Sequence, residues 1–129
     1  MCHQTVSLVA RHLEANGIPT VVVGCARDIV EECGVARFLF SDFPLGNPCG
    51  KPWDGEMQHR IVGFALDLLE SATLARTSVQ TPFRWSDDES WKENYSRVDP
   101  AQKEQLLALG EARRELQRKA KTRGRSGAG

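Results

Sequence analysis

Ile18-Pro19-Thr20-Val21-Val22-Val23 and, fourteen residues further on, Phe38-Leu39-Phe40 are the stretches on which the fold turns. The first is apolar on both faces, the pattern of a parallel strand covered on either side. Pro19 stands at its start, where a missing N–H is tolerated. Between the two stretches, residues Arg27–Cys33 read as a short helix closed by Gly34. Strand, helix and strand over so few residues make a compact βαβ unit, expected to cross over right-handed. The expected fold is therefore α/β, a small parallel βαβ core with flanking helices and a helical C-terminal extension.

Upstream, Val6, Val9, Ala10 and Leu13 recur at helical spacing and Asn16-Gly17 is a stop signal, which predicts a helix over residues 4–15. Downstream lies Asp42-Phe43-Pro44-Leu45-Gly46-Asn47-Pro48-Cys49-Gly50-Lys51-Pro52, whose three prolines and two glycines dictate a loop with a constrained path. It follows the carboxyl end of a strand, where open α/β sheets place their ligand sites. Asp54 is a plausible N-cap for a long helix over 55–75, with Ile61, Ala65, Leu68, Leu69 and Ala72 on its core face.

Beyond residue 75 the character changes. Residues 77–84 are polar and expected to be extended. Ser86-Asp87-Asp88-Glu89 has capping-box spacing and predicts a short helix to about residue 94. Asp99-Pro100-Ala101-Gln102 predicts another, over about 100–121, mostly charged, with Leu106, Leu107, Leu109 and Leu116 as its apolar residues. The expected organisation is an α/β domain over 1–75, an extended linker plus helical extension over 76–122, and a disordered tail over 123–129. Two parallel strands are few for a free-standing sheet. The sheet is therefore expected to join another chain at its edge, or to belong to something larger.

Composition narrows the function classes. The chain has 129 residues, 40% of them apolar, room for one small domain. No apolar run is long enough for a bilayer, and Met1-Cys2-His3-Gln4 lacks the features of a signal peptide. A soluble, cytoplasmic protein is expected. Four cysteines (Cys2, Cys25, Cys33 and Cys49) form no CxxC pair and do not cluster with His3, His12 or His59, so reduced thiols are expected and a zinc site is not. Net charge is zero, but residues 1–98 carry −4 and 99–129 carry +4. No aromatic residue is interleaved in that basic end, so nucleic acid is not the expected partner.

Among the thiols, Cys2 at the head of the first helix and Cys49 in the rigid loop are the candidates for chemistry. Cys25 at the end of the first strand and Cys33 before the Gly34 cap read as core. His3 could assist Cys2 as a base. Trp53, Trp85 and Trp91 read as packing anchors.

Three features in series resemble the C-terminal half of the selenoprotein B family of glycine, sarcosine, betaine and D-proline reductases. They are Cys2 leading through Gln4-Thr5-Val6 into a helix that ends in Gly17-Ile18-Pro19-Thr20-Val21, then Gly34-Val35-Ala36-Arg37, then Phe43-Pro44-Leu45-Gly46-Asn47-Pro48. The likeness covers about residues 2–52. It implies reductive cleavage of a carbon–nitrogen bond in an amino acid. A selenocysteine a few residues before the position of Cys2 would act as nucleophile, and a companion subunit with a pyruvoyl group would hold the amine. By the same resemblance Cys2 is the resolving thiol. From its place in the rigid loop Cys49 is the second catalytic candidate, and Pro44, Gly46, Asn47 and Pro48 are expected to position substrate or the partner subunit. No cofactor is expected in this chain itself. Because it starts at Met1-Cys2, the chain is expected to be a subunit or fragment that is not catalytically complete alone. Its expected partner is a companion reductase subunit or a second copy joined through the sheet edge. The alternative from another class is a non-catalytic protein–protein interaction module.

Overall fold

A computed structural model describes residues 2–95 and 100–126, leaving out the side chains of 100–102, 104, 106 and 119–126. The chain divides into two units, residues 1–92 and 93–129. The elements run α1 (Cys2–Ala15), β1 (Val22–Gly24), α2 (Arg27–Cys33), β2 (Arg37–Phe40), α3 (Gly55–Ser71), β3 (Thr77–Gln80), α4 (Ser90–Tyr95) and α5 (Pro100–Ser126).

The first unit is a three-stranded parallel sheet of order β1-β2-β3 with helices on both faces. The α/β fold expected from the sequence is the one observed, with one strand more than the two anticipated. Thr77–Gln80 pairs with β2 from Arg37↔Thr77 to Phe40↔Gln80. Its polar, largely exposed residues suit an edge strand. β1 is three residues long because Ile18–Val21 only lead into the pairing.

Alternation along β1 and β2 sorts the core into two layers. On one face Val22 and Phe38 meet Ala10 of α1 and Val30 of α2, with Val35 beside them. On the other, Leu39 meets Phe43 and the Ile61, Ala65 and Leu68 stripe of α3. Phe38, Leu39, Ile61 and Val30 are fully buried, so truncating any of them to Ala removes contacts that typically hold about 2–5 kcal/mol. Both chain connections step the same way across the sheet, yet α2 covers the Phe38 face and α3 the Leu39 face. The two crossovers therefore have opposite hands, and one of them is the uncommon left-handed form.

The helix ends follow local chemistry. Gly34 takes the left-handed conformation (φ 71°) that terminates α2. The Asp54 carboxylate accepts from the Met57 N–H at 3.0 Å and opens α3. That helix ends at Ser71, four residues before the expected boundary. At the end of α1, the Glu14 carboxylate accepts from the Thr20 N–H (2.6 Å), the Thr20 hydroxyl (3.0 Å) and Arg37 (2.8 Å). This network pins the Gly17–Pro19 turn to the start of β2. It holds the Glu14 carboxyl below its ordinary range, chiefly through the Thr20 N–H.

Ser86 bonds locally to Asp88, and the helix after it begins at Ser90 rather than at the capping-box position. In the second unit α5 stays helical through Ser126, so residues 123–126 of the expected tail are helix and 127–129 lie outside the described residues. Leu107, Leu109 and Leu116 of α5 are exposed, and the expected Leu106 side chain lies outside the described residues.

Candidate functional site

Three parallel strands end at one rim, and that rim is where the polar side chains gather. The Ser41 N–H donates to the Gly24 carbonyl (2.9 Å) and the Thr81 N–H to the Phe40 carbonyl (2.8 Å), carrying the ladder one step past the strands. The Thr81 hydroxyl reaches the Ser41 hydroxyl at 3.4 Å, both buried. Cys25 is the residue that follows β1 at the same rim.

α1 lays its His3, Ser7 and Ala10 face inward. The imidazole of His3 lies against Gly24, where an added Cβ would come within 3.0 Å of His3 Cδ2 and 3.2 Å of the Phe38 ring. The missing side chain at Gly24 is what lets the ring reach the strand end. There His3 Nε2 accepts a hydrogen bond from the Cys25 N–H at 3.0 Å. An amide N–H can only donate, so the ring proton of the neutral imidazole sits on Nδ1. Nδ1 faces the Cys2 sulfur at 3.6 Å. Cys2, exposed and first in the helix, thus has a fixed N–H donor aimed at its sulfur.

The side chain of Cys25 turns the other way. It is half-buried among Phe43, Met57 and Val23 on the α3 face. Burial pushes its thiol up to about 11, offset in part by the N–H groups of Phe43 and Asn47 directed at the sulfur, with Cys49 and Asp42 adding to the rise. Cys25 is therefore a protonated thiol at neutral pH. Cys49 is exposed in the neighbouring loop, and Gly50 after it is buried against Met57.

That loop is a chain of tight turns. The Asn47 N–H donates to the Pro44 carbonyl (3.1 Å), Gly50 to Asn47 (3.2 Å) and Asp54 to Lys51 (3.3 Å). Positive φ at Gly46 (94°), Gly50 (111°) and Trp53 (65°) makes the bends. Asn47 folds its side-chain amide back on Pro44 (3.4 Å). Beside the loop, Asp42 and Glu89 both hold Lys92, at 2.6 and 3.2 Å, at one end of a cleft of about 210 Å³ walled by Phe83, Trp85 and Trp91. Trp85 packs against Phe43 with the two rings tilted by 55°, as the packing reading of that residue expects. Trp53 does not pack; it is fully exposed.

The structure thus brings Cys2 and His3 together at one side of the rim and leaves Cys49 exposed in the loop that follows β2. Pro44, Gly46, Asn47 and Pro48 form the turn beside Cys25, which they meet through the Asn47 backbone. Cys25, read from sequence as a core residue, packs against the Leu39, Phe43 and Ile61 cluster as that reading expects, and what the sequence did not signal is the bond of its backbone N–H to His3. Cys33 ends α2 at the opposite rim. Among the described residues no group of three or more His, Cys, Asp or Glu could hold a metal ion, and no helix is long and apolar enough to cross a membrane.

No known protein family matches the chain, and no solved structure does. Among curated proteins it is 30% identical over 84 residues to the D-proline reductase subunit gamma of Acetoanaerobium sticklandii, a stretch covering 65% of this chain and 35% of that protein. The two are distantly related, and the chain matches about a third of the relative's length.

Proposed function

We propose that the chain is a subunit or fragment of a thiol-dependent reductase that cleaves the carbon–nitrogen bond of an amino acid such as glycine, betaine or D-proline, and that Cys2 is its resolving thiol. The observation that supports this is the Cys2–His3–Cys25 arrangement: an exposed sulfur, a ring N–H held toward it, and a backbone bond that fixes the ring. The distant kinship with a D-proline reductase subunit points to the same chemistry.

A nucleophilic selenolate or thiolate a few residues before the position of Cys2 would supply the bond cleavage, with the carbonyl group that holds the amine on a companion subunit. Cys2 acts afterwards. Its thiolate gives an electron pair to the oxidised chalcogen and forms a sulfur–chalcogen bond, and the reduced product leaves with the displaced pair and takes up a proton. A dithiol then reduces that bond, restores the Cys2 thiol and itself becomes a disulfide. His3 Nδ1–H steadies the sulfur whenever it is a thiolate. Cys49 is the second thiol of the rim, and Pro44, Gly46, Asn47 and Pro48 form the wall on which substrate rests.

A companion reductase subunit, or a second copy, fits the β1 edge. Val21, Val22 and Val23 are apolar on both faces, as in a central strand, yet among the described residues β1 pairs only with β2. The test is substrate-dependent oxidation of dithiothreitol by the tagged chain purified with its partners from its own host, using D-proline, glycine and betaine in turn. Activity that disappears in Cys2→Ser and in the isolated chain is expected. Full activity in a strain lacking the chain overturns the reading.

A non-catalytic interaction module is the second reading, favoured by Trp53. A fully exposed indole on a left-handed backbone contributes nothing to its own fold and suits a contact. Under that reading Trp53→Ala abolishes co-purification of the partners while Cys2→Ser changes nothing.

A further inference from the structure

We infer that the open edge of β1 pairs with β1 of a second copy of this chain, antiparallel and centred on Val22, so that the two sheets join into one. This rests on the reading of that edge as a docking site and names its occupant; it is independent of the thiol chemistry.

Main-chain direction decides what the edge offers. The Ser41 N–H donates to the Gly24 carbonyl, and Gly24 stands opposite Phe40 in the parallel ladder. Successive residues of a strand turn their main-chain groups to alternate sides. Val22 and Gly24 therefore bond to β2, while Val21, Val23 and Cys25 turn theirs to the open edge. The Cys25 N–H is already taken by His3 Nε2 at 3.0 Å. The Thr20 carbonyl accepts from Arg37 of β2 at 3.3 Å, so the alternation runs back to Pro19, which faces outward and has no N–H. Open donors thus stand at Val21 and Val23, and the edge is closed on either side of them, symmetrically about Val22.

That symmetry selects a second copy. In a two-fold antiparallel pairing centred on Val22, Val21 of one chain lies opposite Val23 of the other, and each such pair exchanges both N–H···O bonds. Cys25 then lies opposite Pro19, where neither has a free N–H to be stranded. A register shifted by two residues sets Cys25 or Pro19 opposite a valine and leaves that valine's carbonyl without a donor.

Side chains agree. Val22 is buried in one core layer, and Val21 and Val23 pack on the other, as in an interior strand. No charged residue occurs over 15–26, so two copies meet here without like-charge repulsion. The opposite edge, β3, is polar and largely exposed, the form a solvated edge takes. Val6 and Val9 of α1, the helix packed over β1, and Ile18 stay about half exposed outside both core clusters and add apolar surface beside the seam.

The test uses the full chain in dithiothreitol, so that no disulfide links copies. Light scattering gives its mass over a dilution series, and NMR follows amide exchange at the same concentrations. A mass of twice 14.3 kDa is expected, falling to 14.3 kDa on dilution. The Val21 and Val23 amides are expected to exchange about tenfold or more faster in the monomer, while Leu39, whose N–H bonds to β1, changes little. Val21→Pro removes an outward N–H and leaves the bonds to β2; it is expected to be monomeric with Leu39 still protected. A single-chain mass at every concentration, a dimer with unprotected Val21 and Val23 amides, or a dimeric Val21→Pro with Leu39 protected overturns the inference. Should Val21→Pro fail to fold, the amides of the unaltered chain decide. Protection of those amides only with a companion subunit overturns the second copy and leaves the docking edge standing.

Discussion

His3 Nε2 accepts the Cys25 N–H at 3.0 Å, so a residue at the head of α1 caps the end of β1 and leaves its other ring nitrogen facing Cys2. His3→Ala removes a ring from a buried position and leaves the Cys25 N–H without its partner. A loss of about 2–3 kcal/mol in urea-denaturation stability is expected. The alkylation rate of Cys2 in the folded chain is expected to change severalfold, whereas the rate in urea stays the same. An unchanged folded-state rate would mean that the Nδ1–sulfur contact has no effect on the thiol.

Gly24 is the position that admits the His3 ring. Gly24→Ala places a methyl group 3.0 Å from His3 Cδ2 and 3.2 Å from Phe38 Cε2, and both partners are buried. It should destabilise by about 1–3 kcal/mol. Gly63 lies inside α3 with open space at its missing Cβ, so Gly63→Ala is expected to stabilise by about 0.5–1 kcal/mol. Thermal melts of the two variants should therefore move in opposite directions.

Cys25 makes stability sensitive to alkaline pH. Its folded-state value, raised to about 11 from 9.0 chiefly by burial, lies above the unfolded one. The folded chain therefore holds this proton longer. The stability it represents is fully present below pH 9 and is lost as the pH climbs through 11, because the unfolded thiol ionises first. Allowing for its partial exposure, a fall of up to about 2 kcal/mol is expected, and it should be absent from Cys25→Ser when both are titrated with urea across that range.

Glu14 gives the opposite dependence. The Thr20 N–H, the Thr20 hydroxyl and Arg37 hold its carboxyl below the ordinary value. Its contribution is present at neutral pH and is lost as pH falls through the folded-state value. Glu14→Gln should cost about 1–2 kcal/mol at neutral pH. The gap between variant and parent should narrow towards pH 3, as measured by paired denaturation curves.

Trp53 adopts φ 65° with its side chain wholly in solvent. Replacing it by Gly relieves the backbone strain and forfeits no packing. Trp53→Gly is expected to raise stability by up to about 1 kcal/mol, visible as a higher melting temperature. A marked drop would show that the indole packs in solution.

Much of this molecule was legible locally. The Arg27–Cys33 helix with its Gly34 stop, the Asp54 cap and the turns of the 42–52 loop follow from residues within a few positions of one another. Cys2 and Cys49 stood out for the same kind of reason, one at a helix start and one in a rigid loop. β3 was read only as extended, because the polar Thr77-Ser78-Val79-Gln80 buries no face and its strand character comes from hydrogen bonds to β2.

Sequence by itself determined the α/β class, the order of the helices and the two apolar strands, since hydrophobic period and turn chemistry are written in neighbouring residues. Only the tertiary structure decided that the Cys25 N–H meets His3, that His3 carries its proton on Nδ1, and that α2 and α3 lie on opposite faces. The reason is physical. A parallel sheet aligns the ends of strands that are distant in the chain, and the partners of His3 and Cys25 are set by that alignment, not by any local propensity.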